Sequence, residues 1–134
     1  MRFKILSFFL LSMSFVLFTG CKSTAVYNVK QAPIAMQNES YTLSDVEKAI
    51  IKAGGSKWQM QKTEPGHIVG TLNHGKLMAQ VDITYNRQDY NIEYKNSQNL
   101  NYDGTNIHRR YNNWIQKLSQ RIQSNLIRMG TDNQ

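Results

Sequence analysis

The stretch that decides the fold is Leu77-Met78-Ala79-Gln80-Val81-Asp82-Ile83-Thr84-Tyr85. Leu77, Ala79, Val81, Ile83 and Tyr85 alternate with Met78, Gln80, Asp82 and Thr84. Successive side chains of a strand point to opposite faces, so this pattern buries one face and wets the other. The same period continues outward. Upstream, Ile68, Gly70 and Leu72 alternate with His67, Val69 and Thr71, and Trp58 and Met60 with Gln59 and Gln61. Downstream, Tyr90, Ile92 and Tyr94 alternate with Asn91, Glu93 and Lys95. Pro65-Gly66, Asn73-His74-Gly75 and residues 86–89 supply the turns. Four strands joined so tightly make an antiparallel meander.

Helical patterns flank the meander. Ser44 followed by Glu47 reads as a capping box, with Thr42 and Asp45 as a second register. Leu43, Val46, Ile50 and Ala53 then form one stripe, which Gly54-Gly55 ends. After a polar loop over 96–104, a second helix is expected over 106–129. Ile107, Tyr111, Trp114, Ile115, Leu118, Ile122 and Leu126 share its face, and Gly130 stops it. The expected fold is α+β: a two-layer α-β-β-β-β-α domain over 42–130 with both helices on one face of a four-stranded antiparallel meander. Residues 131–134 are expected to be a disordered tail.

The N-terminus has a different character. Arg2 and Lys4 precede an apolar run from Ile5 to Phe18, and Thr19-Gly20 lead into Cys21, the one cysteine of the 134 residues. A basic start, an apolar middle and a small-residue end make an export signal over 1–20. Ser7, Ser12 and Ser14 count against a spanning helix, which needs about 20 predominantly apolar residues. Around Cys21 the chain resembles bacterial lipoproteins, with Phe18 where that pattern prefers Leu. The resemblance implies a diacylglyceryl thioether on Cys21, cleavage before it and acylation of the new amino group. Lys22, rather than Asp, follows the cysteine, which by resemblance to Gram-negative sorting rules implies the outer membrane. Residues 21–41 contain Pro33 and show no periodicity. They read as a lipidated flexible tether, about 20 residues spanning about 25 Å.

Charge narrows the partners. The chain has 16 Lys and Arg against nine Asp and Glu, net +7. Removing 1–20 takes Arg2 and Lys4, leaving 14 − 9 = +5. An exported basic domain has no occasion to meet nucleic acid. It is expected to contact anionic lipid, peptidoglycan or another envelope protein.

Two basic groups stand out on the last helix. Arg110, Lys117, Arg121 and Arg128 fall within roughly 40° of one another at about 100° per residue, a possible docking stripe beside Trp114. A solvated helix flank explains the same pattern. Thr105, His108, Arg109 and Arg110 sit where the helix opens and suggest an anion site. Asp103 is the chain's own candidate to neutralise them. His67, His74 and His108 have no metal-ligand spacing, and no metal or cofactor is expected. No nucleophile motif occurs, so no catalytic residue is assigned. Asp82 and Glu93 are expected to be cross-strand neighbours on the wet face. Tyr85, Tyr90, Tyr94 and Tyr111 are in phase with the core, which leaves Tyr102 as the ring free to stack on a sugar.

Leu100-Asn101-Tyr102-Asp103-Gly104 and Ile107-His108-Arg109-Arg110-Tyr111-Asn112-Asn113-Trp114, with Trp58, Pro65-Gly66, Ile68 and Gly70-Thr71-Leu72, resemble a group of small proteobacterial lipoproteins without assigned activity. The resemblance covers about residues 43 to 126. It implies the same fold and anchor and carries over no catalytic residue. The expected function is a non-enzymatic binding or accessory module on a lipid anchor. The alternatives are a cell-wall or sugar-acting enzyme or sensor at the Tyr102–His108 corner, and a structural partner joining an assembly through an open sheet edge or the wet face.

Overall fold

A computed structural model describes residues 22–36 and 40–132. Cys21 and the export signal lie outside these residues. Strands β3 (Trp58–Glu64), β4 (His67–His74), β5 (Leu77–Tyr85) and β6 (Asp89–Gln98) form the expected antiparallel meander. Their alternation decides which face is buried: Ile68, Leu72, Ala79, Val81, Ile83, Tyr90 and Ile92 all point into the core. Helices α1 (Leu43–Gly54) and α2 (Arg109–Thr131) cover that face. Val46, Ala49, Ile50 and Ala53 of α1 meet the same core as Tyr111, Ile115, Leu118, Ile122 and Leu126 of α2. Asn125 ties the two helices, its side-chain amide donating to the Ala49 carbonyl at 3.1 Å. Gly70 leaves room for Trp58 on the adjacent strand. A Cβ there would stand 3.2 Å from Met60 Sδ and Val81 Cγ2 and 3.4 Å from the indole.

Three expectations are corrected. First, the sheet has five strands, in the order β2-β6-β5-β4-β3. Within the stretch expected to be a flexible tether, 21–41, the described residues include β1 (Ser23–Ala25) and β2 (Val29–Pro33). β2 pairs with β6, Val29 opposite Ile92 and Pro33 opposite Asp89. A bulge between Val29 and Ala32, with Gln31 at φ 50°, breaks the period of two that would have revealed it. Pro33 is tolerated because β2 is an edge.

Second, the last helix begins at Arg109, not 106. Residues Asn106–His108 are strand β7, paired with β1 in a two-stranded sheet. Ile107 is buried there and keeps the phase of the helical stripe, which is why the sequence pattern runs on unbroken. Helix α2 also extends through Thr131, into the expected tail, and Asp132 caps it.

Third, the capping box of α1 uses the second register. Thr42 Oγ1 accepts from Asp45 N at 3.3 Å, and the Asp45 carboxylate accepts from Thr42 N at 2.8 Å. That hydrogen bonding holds the Asp45 carboxyl below its usual range. Glu47 is free for the sheet, where it accepts from the Tyr85 hydroxyl at 2.7 Å and pairs with Lys62 at 3.0 Å. Gly55, at φ 56°, ends α1.

Candidate functional site

Helix α2 carries Arg109, Arg110, Lys117, Arg121 and Arg128 and no carboxylate. The end of α1 and the turn into β3 bring Lys52 and Lys57 to the same side. The result is a shallow groove in three adjoining parts. One, of about 300 Å³, lies between Lys52, Ser56, Lys57, Arg121 and Asn125. A narrow waist of about 60 Å³ joins Lys57 to Trp114, Lys117 and Arg121. The third, of about 280 Å³, runs past Lys57 and Leu72 to His74 and Trp114. The imidazole of His74 stands edge-on to the Trp114 indole, with centroids 6.3 Å apart. Among the described residues, no carboxylate lines any part of the groove. Lys62 pairs with Glu47 and Lys95 with Asp82, and neither ion pair uses a groove cation. Four uncompensated cations beside a half-buried indole can hold an anionic group with a flat apolar face.

The two sequence-level groups are split by the structure. Lys117 and Arg121 line the groove. Arg110 lies near the start of α2, and Arg128 occupies its last turn, where its carbonyl accepts from Asp132 N at 3.1 Å. At the start of α2, His108, Arg109 and Arg110 do come together, with Lys22 and Asn113, around a hollow of about 510 Å³. Thr105 does not line it. Its N–H donates to Asp103 at 2.9 Å and its carbonyl accepts from Val26 N at 3.0 Å. Asp103 also accepts from Asn106 N at 2.7 Å. These backbone donors hold its carboxyl below the usual range and tie it to the loop rather than to the helix. The helix is capped instead by His108, whose Nδ1 accepts from Arg110 N at 3.1 Å.

The Tyr102–His108 corner is committed to internal contacts. Tyr102 stacks on Tyr94 at 4.0 Å, and its hydroxyl donates to Gly104 O at 3.4 Å. Tyr94 in turn meets the Tyr111 ring edge-on at 5.7 Å. Tyr102 keeps an exposed edge rather than a free ring.

One arrangement escapes the sequence reading. On the wet face, Thr63 Oγ1 lies 2.7 Å from His67 Nδ1, and His67 Nε2 lies 2.7 Å from Asp82 Oδ1. Lys95 Nζ shares that oxygen at 3.4 Å. Asp82 does stand opposite Glu93, as expected. The order hydroxyl, imidazole, carboxylate resembles a hydrolytic relay. It lies on the open face of the sheet, and none of its residues lines a hollow described above. It acts as a cross-strand clamp over β3, β4, β5 and β6. No spacing rule would have found it, since the residues come from four strands.

Among the described residues, no group of three or more His, Cys, Asp or Glu is placed to hold a metal ion. No described helix is long and apolar enough to cross a membrane. No protein-family model matches the chain, and no curated protein or solved structure matches it either.

Proposed function

We propose that this chain is a lipid-anchored lipoprotein of the bacterial outer membrane, related to the small proteobacterial group its sequence resembles, and a non-enzymatic binding module for an anionic envelope component. The observation that carries the binding role is the groove of Lys52, Lys57, Lys117 and Arg121 beside Trp114, with no carboxylate among the described residues that line it. Acidic peptidoglycan fragments have the required chemistry: carboxylates for the cations and a sugar face for the indole. The internal commitments of Tyr102 and His108 favour this reading over an enzyme at that corner.

The groove is tested by NMR titration of the mature protein with acidic muropeptides, their amidated forms and inorganic phosphate. The expected result is movement of the Trp114 indole and of Lys57 and Arg121 with acidic fragments. The double substitution Lys117→Gln/Arg121→Gln is expected to remove about 1–2 kcal/mol, weakening binding about five- to thirtyfold. A groove that stays silent to all three probes overturns the reading. The anchor is tested separately by mass spectrometry of the native product, where a bare Cys21 thiol sinks it.

A further inference from the structure

We infer that the domain does not stand off the membrane but rests on it by the end bearing Lys22, Arg109 and Arg110, with the phosphates of anionic lipid headgroups as the surface it grips. The inference builds on the lipid-anchor reading of Cys21. Two independent observations support it.

The first is a strap. The Lys22 carbonyl accepts from Arg109 N at 2.9 Å, and Ser23 pairs with His108. Three residues beyond Ser23, Val26 N donates to Thr105 O at 3.0 Å. Asn112 clamps the same segment: its amide donates to Ala25 O at 2.8 Å, and its Oδ1 accepts from Tyr27 N at 2.9 Å. Adjacent Cα atoms are about 3.8 Å apart. The acylated residue is therefore about one residue's length from a point fixed on the fold, with no slack for a long lead.

The second is the distribution of charge along the strand axis. The strapped end carries Lys22, Lys57, Lys76, Arg109, Arg110 and Lys117. Lys76 is placed there by its carbonyl, which accepts from Asn99 Nδ2 at 2.6 Å, and Lys57 by the hollow it shares with His74 and Trp114. The carboxylate at this end is Asp103, which the loop amides already engage. The opposite end gathers Asp45, Glu47, Glu64 and Asp89, at the start of α1, the end of β3 and the start of β6, beside Lys48, Lys62, Arg87 and Arg128, so its charges roughly balance. The molecule is thus electrically polar, and its cationic end is the end that the acyl chains must bring to the bilayer. Each basic residue near an anionic surface strengthens binding about fivefold.

The test uses the mature chain on vesicles of phosphatidylethanolamine and phosphatidylglycerol bearing a headgroup spin label, read by NMR line broadening. One sample carries the native acyl chains; a second is the same chain joined through its Cys21 thiol to a maleimide lipid. The expected result in both is loss of amide signals over 22–26 and 106–113. Signals at Gly66 and Asp89 persist, because β4, eight residues long, separates the ends by about 26 Å. Arg109→Gln/Arg110→Gln is expected to spread the broadening evenly while leaving the fold intact, since both side chains are exposed. Even broadening in the unsubstituted chain, or broadening strongest at Gly66, overturns the docking and leaves the anchor standing. A bare thiol in the native product removes the anchor and the docking with it.

Discussion

The Tyr111 hydroxyl is buried and has no hydrogen-bond partner among the described residues. Burial also pushes its ionisation well above the usual range. A buried donor without a partner costs about 1–3 kcal/mol. Tyr111→Phe is therefore expected to raise stability by about 1 kcal/mol, read as a higher urea midpoint with an unchanged slope. Glu47 behaves oppositely, because the Tyr85 hydroxyl and then Lys62 hold its carboxyl below its ordinary value of 4.5. A depressed carboxyl binds fewer protons folded than unfolded near that value, so its contribution is present at neutral pH and lost as pH falls below it. Desolvation first, then Glu47, pushes Tyr85 from 10.0 up to about 12. That contribution is present below pH 10 and lost as pH climbs from 10 towards 12. Glu47→Gln is expected to flatten the acid arm of a urea midpoint against pH profile. An unchanged acid arm would contradict the assignment. The sequence placed Tyr85 and Tyr111 in the core by their phase. It was silent on their hydroxyls, because a partner or its absence is decided by packing between elements distant in the chain.

At the scale of elements, what was legible followed from strict periods. β4, β5 and β6 repeat every two residues, and α2 every 3.6. β2 was not legible, since only Val29 and Ala32 face inward and a bulge separates them. Gln31 pays for that bulge with a left-handed backbone. Gln31→Gly is expected to be neutral or stabilising by about 0.5 kcal/mol, while Lys30→Gly costs about that much or more. Guanidinium unfolding of the two variants checks the pair, and a larger loss at Gln31 would argue against the bulge. The cap of α1 offers a second test. Thr42→Ala is expected to cost about 1 kcal/mol and Ser44→Ala almost nothing. Two overlapping boxes are one residue pair too many for a sequence to choose between. The choice falls to Thr42 because Glu47 is drawn away by Tyr85 and Lys62.

Across the whole molecule, the cations of α2 were visible in the chain but their company was not. Lys52 and Lys57 reach Arg121 through the packing of α1 on α2, and Lys22 reaches Arg109 through the pairing of β1 with β7. Such neighbours are far apart in sequence, so no window along it contains them. Charge polarity of this kind is screened by salt, with a Debye length of about 10 Å at 0.1 M and about 3 Å at 1 M. Binding of the acyl-free domain to anionic vesicles is expected to fall steeply across that range. Arg128→Gln, at the far end of α2, should leave it unchanged. Equal losses from Arg128→Gln and Arg110→Gln would mean that the helix lies flat.

The pairing of Ser23–Ala25 with Asn106–His108 also has a mechanical side. A pull on Cys21 away from the fold loads the first hydrogen bond, at Lys22, before any other. The strap then opens like a zip, one bond at a time, rather than shearing all its bonds together. Six residues lie between Lys22 and Val29, so the opened strap extends to about 24 Å at most before tension reaches the five-stranded sheet. A chain pulled from its N-terminal side yields first at this strap and keeps its core intact.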